Sequence, residues 1–402
     1  MINMQDNKPA ILGGTPVRTS KLYYGHQYID DNDIQAVVDV LKSDYLTCGP
    51  KITELEKKLC DYTGAKHAAV VSNGTAALHI ACQALGIGPG DQVITTPITF
   101  AASANCALYC GAEPVFADID EATYNIDPKS VLEKITDKTK AIVAVDYTGQ
   151  AVQLRELLSI CREKGIYLIE DGAHSLGTSY DGKKVGGIAD ITTFSFHPVK
   201  TITGGEGGAV LTNDDQLAKR IELYRSHGIT RDTSLMERES EGGWYYEQVG
   251  LGMNYRMTDI QAALISSQLD KLDMFSARRK SIVNKYNQAF ADMPGVIVQQ
   301  EIPESDTTRH LYILRLDLNE LSIDRKQFFD AMAAENICCN VHYIPVYRHP
   351  YYEKLGYKKG LCPKAEALYE SMMSLPLYYS LSDSDVDDVI AAVKKLVTYY
   401  KK

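Results

Sequence analysis

Between about residue 50 and residue 225 the chain alternates short, nearly uninterrupted apolar runs with amphipathic stretches, and no other feature restricts its fold as strongly. The runs are "HAAVV" from His67, "DQVITT" from Asp91, "EPVFADI" from Glu113, "KAIVAVD" from Lys140, "IYLIED" from Ile166, "ADITTFSF" from Ala189 and "GGAVLTN" from Gly207. Helix-patterned segments separate them, among them "GTAALHIACQALG", "ASANCALYCG" and "LRELLSICREKG". A strand that is apolar on both sides must be covered on both faces. The order therefore predicts an α/β domain with a mostly parallel sheet between two layers of helices. A helical stretch from Met257 to Asp292 leads away from it. The remainder mixes strand-like "HLYILRL" and "CNVHYI" with helices, the last presenting Val386, Val389, Ile390, Val393, Leu396 and Val397 on one face. The expected division is 1–260, a large ligand-binding domain, and 261–402, a connecting helix with a smaller α+β domain.

Composition removes several functions. The 52 acidic and 42 basic residues leave a net charge of −10, with no basic stripe for nucleic acid and no run of about 20 apolar residues for a bilayer. The opening "MINMQDNKPAILGG" lacks the pattern of a signal peptide. Nine cysteines without a C-x-x-C pair read as free thiols in a reducing compartment, which points to the cytoplasm and to no metal.

In open α/β sheets, ligands sit beyond the carboxyl ends of the strands. Three polar features fall there. In "VVSNGTAAL", Gly74 and Thr75 open a helix whose free N–H groups suit a phosphate, although an ordinary helix cap explains the same residues. The glycines of "GIGPGD" follow a helix and do not match a dinucleotide fingerprint. Asp171 closes a strongly apolar strand, where an unpaired carboxylate is costly and calls for a cationic partner, as a structural ion pair or otherwise. Lys200 follows the next strand in "SFHPVKTITGGEGG", where a partly desolvated amine is able to react with an aldehyde. A lysine, a carboxylate and an anion cradle in this order suit pyridoxal 5′-phosphate. Phe100, ending "TTPITF", is available to stack on its ring.

The motifs "LTCGP", "SNGTAAL", "TTPITFAASAN", "EDGAHSLG", "SFHPVK", "GEGGAV" and "NYRM" make nearly the whole chain resemble the sugar-nucleotide aminotransferases of the DegT/StrS family. The resemblance implies an aspartate-aminotransferase type of fold, pyridoxal 5′-phosphate as cofactor, glutamate as amino donor and a homodimer. Carried over by motif, Lys200 matches the lysine that bonds to the cofactor aldehyde, and Asp171 the partner of its pyridine nitrogen. His174 matches the residue beside its phenolic oxygen, a position where many members carry glutamine. Gly74, Thr75 and Ser195 match the phosphate cradle, Phe100 the stacking aromatic, and Asn254 a residue reaching the phosphate of the neighbouring subunit. Tyr24, Tyr45, Leu46, Thr47, His342 and Tyr343 match segments that hold the nucleotide sugar. Through "VDYTGQAV", "YRSHG" and "VHYIPVY" the likeness is greatest to the transaminases of pseudaminic acid synthesis, which implies a UDP-4-keto-6-deoxy-N-acetylhexosamine as amino acceptor. Another nucleotide keto sugar, such as the 4-keto precursor of UDP-4-amino-4-deoxy-arabinose or a dTDP-linked sugar, is the alternative. A related branch of dehydratases has histidine where this chain has Lys200, and a non-enzymatic regulator would have no need of the lysine, aspartate and cradle together.

Overall fold

The computed structural model describes residues 8–402; the segment 1–7, part of the opening read above as no signal peptide, lies outside the described residues. The seven apolar runs form one sheet. Its strands are β1 (His67–Val71), β2 (Gln92–Thr95), β3 (Glu113–Phe116), β4 (Thr139–Val145), β5 (Tyr167–Asp171), β6 (Ile191–Ser195) and β7 (Gly208–Thr212). The spatial order is β1-β7-β6-β5-β4-β2-β3. Only β7 runs antiparallel to its neighbours β1 and β6; the other pairs are parallel.

Period-2 alternation explains why the runs are apolar throughout. In β4 and β5, Ile142 and Leu168 enter the core on one face, while Val143 and Ile169 enter the core on the other. Both layers exclude water, so a polar side chain survives only at a strand's end or with a built partner.

The stretch expected to be helical after Met257 is two helices, Asp259–Leu269 and Leu272–Phe290. They part at Lys271, whose ammonium lies 2.7 Å from both Asp30 and Asp33. Ala262, Ile265, Leu269, Leu272 and Phe275 pack into the large sheet's core, whereas Ile282, Val283, Tyr286 and Phe290 enter a separate one. That second core sits on a three-stranded antiparallel sheet, Val296–Val298, Tyr312–Leu316 and Met372–Leu375. The last helix, Asp383–Tyr400, buries Val386, Val389, Val393, Leu396 and Val397 as its pattern requires, with Ile390 packed at the margin. Among the described residues no helix is long and apolar enough to cross a membrane.

Candidate active site

A cavity of about 860 Å³ opens where β5 and β6 end and β1 gives way to a helix. Tyr24, Gly74, Thr75, Phe100, Asp171, His174, Ser195, Lys200, His342 and Tyr343 all line it. The order of strands accounts for the convergence, because the parallel strands deliver their carboxyl ends to one edge.

The helix Gly74–Ala84 begins at the end of "VVSN". Asn73 caps it, its side-chain oxygen accepting the Ala76 N–H at 2.8 Å. The N–H groups of Gly74 and Thr75 precede the first intrahelical bond and have no acceptor within the helix. A β-carbon on Gly74 would lie 2.9 Å from that of Ser195. The glycine therefore keeps open a concave, N–H-lined space closed on its other side by the serine, the shape and polarity a phosphate needs.

Asp171 is 4% exposed. The cationic partner expected of it is not in contact: Ser103 donates its hydroxyl to Oδ2 at 2.7 Å and the Ala173 N–H reaches Oδ1 at 3.2 Å. Burial pushes the carboxyl up from its usual range, and Ser103, Ala173 N–H and the more distant Lys200 pull it back. Lys200 is not at the strand's end either. β6 stops at Ser195, and a turn closed by the Lys200 N–H on the His197 carbonyl, 2.9 Å, brings the lysine round. Burial lowers its ammonium to about 8, with Asp171 opposing the shift. At neutral pH an amine of this kind is far more often free than an ordinary lysine.

His174 also lines the cavity. Its Nε2 is 3.2 Å from the Tyr343 hydroxyl, while its buried Nδ1 has no partner among the described residues. Burial, then Lys200 and His342, hold it well below the usual histidine range, so the ring is neutral. His342 is held by the Ser374 hydroxyl at 2.7 Å and lowered by burial to about 4. Its ring centroid lies 5.3 Å from that of Tyr24. Phe100 stands 64% exposed at the mouth, its ring 6.4 Å from Tyr343.

Four expected residues are not brought to this cavity by the chain's own fold. Tyr45 and Leu46 are 55% and 49% exposed, and Thr47 pairs with Thr258 at the start of the helix Asp259–Leu269. Asn254 is exposed and bridges to Ser226, although Met253 and Tyr255 beside it line the cavity. Sequence reasoning also missed contributors. Ser103, the direct partner of Asp171, is one small polar residue inside "AASANCAL", and His197 and Glu206, both lining the cavity, lay inside motifs already quoted.

The sequence model of the DegT/DnrJ/EryC1/StrS aminotransferase family matches residues 27–394. The chain belongs to that family. It is 42% identical over 382 residues to the spore coat polysaccharide biosynthesis protein SpsC of Bacillus subtilis, covering 94% of this chain and 98% of SpsC. It is 38% identical over 382 residues to the UDP-4-amino-4,6-dideoxy-N-acetyl-beta-L-altrosamine transaminase of Campylobacter jejuni strain 81-176, with 94% and 98% covered. Among solved structures, Helicobacter pylori PseC, an aminotransferase involved in the biosynthesis of pseudoaminic acid, matches with a TM-score of 0.88 at 32% identity, covering 95% of this chain and all of PseC. Spr1654 of Streptococcus pneumoniae, described as a sugar aminotransferase and solved in its PLP form, matches with a TM-score of 0.87 at 32% identity, covering 94% and 99%.

This family member is a pyridoxal phosphate-dependent sugar aminotransferase, with the α/β fold of its relatives. The residues present fit the cofactor. An open cradle at Gly74, a buried carboxylate that lines the cavity, an imidazole nitrogen without a partner among the described residues and an amine of lowered basicity would suit its phosphate, pyridine nitrogen, phenolic oxygen and aldehyde respectively.

Proposed function

We propose that the enzyme moves an amino group from glutamate to a UDP-4-keto-6-deoxy-N-acetylhexosamine, giving the 4-amino sugar nucleotide used in pseudaminic acid synthesis. The observation that carries this reading is the near full-length likeness to the altrosamine transaminase, joined to a cavity wall built from the "VHYIPVY" segment. When bound, pyridoxal phosphate supplies the electron sink and carries the amine between the two substrates. The chain's own residues supply the rest. Lys200 Nζ would bind the cofactor through its aldehyde carbon and, when free, is the amine that would take and return a proton at the reacting carbon. Asp171 would accept the N–H of the pyridine nitrogen and so keep that ring charged. Gly74, Thr75 and Ser195 would hold the phosphate, Phe100 would cover the ring face, and neutral His174 would donate to the phenolic oxygen through Nδ1. Tyr24, His342 and Tyr343 form the wall against which the sugar lies, and such positioning lowers the barrier without any new chemistry.

The chain acts as a homodimer in the cytoplasm, in this reading, with Asn254 of each copy directed at the phosphate of the other and Tyr45, Leu46 and Thr47 meeting the nucleotide sugar at the shared boundary. Exposure of these four residues outside their own cavity supports it. The substrate is tested by incubating the pyridoxamine-loaded enzyme with UDP-, GDP- and dTDP-linked keto sugars and following recovery of the PLP absorbance and the product's mass. Turnover confined to the UDP-4-keto-N-acetyl sugar is expected. Preference for a dTDP-linked sugar, or for a UDP sugar without the N-acetyl group, overturns the pseudaminic assignment and leaves the aminotransferase intact.

A further inference from the structure

Behind the cavity, on the opposite face of β5, lies a group the reaction just described does not use. Glu170 precedes Asp171 in the strand, so its side chain points away from the cofactor cavity. Asp146, which follows β4, faces it; both are 0% exposed. Among the described residues no cation accompanies them. Asp146 meets Glu170, the Ser175 hydroxyl, the Val152 N–H and, at longer range, Asp171. Glu170 meets Asp146, the Thr192 hydroxyl and the Gly186 N–H. Ser175 Oγ donates to Asp146 Oδ2 at 2.5 Å, the Val152 N–H to Oδ1 at 2.9 Å, and Thr192 Oγ1 to Glu170 Oε2 at 2.9 Å. Glu170 Oε1 is buried with no donor at hydrogen-bond distance among the described residues.

Two facing carboxylates without a cation cannot both be ionised in such a place, and an acceptor-only oxygen without a donor is costly. One proton between them removes both difficulties, as in other carboxyl pairs that share a site. The pair is also wired to the active site. The Asp146 N–H donates to the Asp171 carbonyl at 3.1 Å, and the Asp146 side chain holds Ser175, the residue after His174. The turn between these two attachments carries both groups aimed at the cofactor ring.

We propose that Asp146 and Glu170 are a proton-sharing pair, one carboxylic acid and one carboxylate, that positions the Asp171–Ser175 turn and through it the two side chains that address the cofactor. They are positioning residues, since neither touches the cavity. The direction of their titration agrees: burial raises both, Glu170 to about 7 and Asp146 well above the usual aspartate range, so the pair keeps a proton at neutral pH. A carboxyl raised in the folded state stabilises most at low pH and loses that contribution as pH rises. Wild type should therefore lose stability relative to Glu170→Gln as pH rises from the ordinary glutamate value of 4.5 to about 7.

The role at the cofactor rests on the reading of Asp171 and His174 given above; the shared proton does not, and two measurements separate them. Infrared difference spectra of the cofactor-free protein should show a protonated carboxyl at neutral pH that Glu170→Gln removes. Its absence from wild type, or its persistence in that variant and in Asp146→Asn, overturns the shared proton. In the holoenzyme, Glu170→Ala should weaken cofactor binding and turnover about tenfold or more, a loss of the size that misplaced reacting groups cause. It should also displace the pH titration of the cofactor's absorbance. Glu170→Gln, whose amide is able to donate to Asp146 as the acid does, should recover most of each loss. A folded Glu170→Ala protein with unchanged cofactor affinity and pH titration would reduce the pair to a structural role, and a Glu170→Ala protein that does not fold passes the same test to Glu170→Gln and Asp146→Asn.

Discussion

Asp33 and Asp171 are both withdrawn from solvent, 0% and 4% exposed, yet their surroundings are opposite. Asp33 is saturated: Lys271 Nζ lies at 2.7 Å, Gln268 Nε2 and Ser267 Oγ each at 2.6 Å, and its carboxylate also closes the capping box of the helix Asp31–Leu41. Asp171 has one hydroxyl at 2.7 Å and one weak backbone contact, with its cation held off across the cavity. A buried charge whose partners are complete is part of the scaffold. One whose partners are incomplete reserves a place for a ligand, and the fold supports its desolvation until the ligand arrives. Lys200 is the mirror of Lys271 in the same sense: Lys271 touches two carboxylates and is raised, while Lys200 touches none and is lowered to about 8.

Removing the unpaired cation should separate activity from stability most completely. Lys200→Ala should lower transamination about 10³-fold or more, roughly 4 kcal/mol of barrier, because tether and base are lost together. Cofactor-free Lys200→Met should be more stable than wild type by about 1–3 kcal/mol at neutral pH after allowance for solvent screening. The sign follows from the shift. A lysine whose basicity is depressed on folding costs stability while the unfolded chain is protonated and the folded one resists protonation. The cost vanishes as pH rises past the ordinary lysine value of 10.5. Melting curves of both proteins across pH test this, and a Lys200→Met chain less stable than wild type at pH 7 would remove the contrast with Lys271.

The paired carboxylates should then part company. Asp171→Ala should keep its circular dichroism spectrum and lose about 10²–10³-fold in turnover, as when a charge aimed at a reacting group is removed. Asp33→Ala should do the reverse: about 3 kcal/mol less stable, since Lys271, Gln268 and Ser267 lose a shared acceptor, with turnover per folded enzyme unchanged. Equal behaviour of the two variants in either assay breaks the distinction.

The same distinction explains what could be read from sequence. The sheet was legible because each apolar run carries its own instruction to be buried on both faces, and Asp171 stood out because it closes such a run with a charge. Lys200 was legible only with its flanking glycines, since the turn that returns it from Ser195 is tertiary. Ser103, Asp146 and Glu170 were silent. Each is a common polar residue next to an apolar run, and its meaning depends on a partner 68 positions away for Ser103 and 24 for Glu170 (170 − 146). Asn254 and Tyr45–Thr47 carry family motifs, but one chain does not bring them to its own cavity.

Asn254 offers a finer test of which polar groups belong to the chain that carries them. Asn254→Asp should weaken cofactor retention roughly 10–100-fold, about 1.4–2.8 kcal/mol, by placing a negative charge against phosphate. If the residue serves the other copy, mixing it with Lys200→Ala chains collects both lesions in one site of the mixed dimer and frees the other. Recovery of activity after subunit exchange is expected. Activity no higher than the sum of the parents would place Asn254 in its own chain's site.

The smallest expected effect concerns His174, and its smallness is informative. The imidazole is neutral because burial, and then the neighbouring Lys200, disfavour its charged form, so its contribution is one neutral N–H from Nδ1 and one contact from Nε2 to Tyr343. A glutamine amide offers a neutral donor of similar reach. His174→Gln should therefore keep turnover within about threefold, under about 0.7 kcal/mol, whereas His174→Phe, which fills the space without a donor, should lose about tenfold, near 1.4 kcal/mol. Because no proton is gained or lost at the ring between pH 6 and 9, neither variant should move the pH profile of turnover in that range, unlike Lys200, whose titration near 8 lies within it. A profile whose acid limb disappears in His174→Gln would mean that the imidazole titrates in the working enzyme and would set it beside Lys200 as a group left open for chemistry.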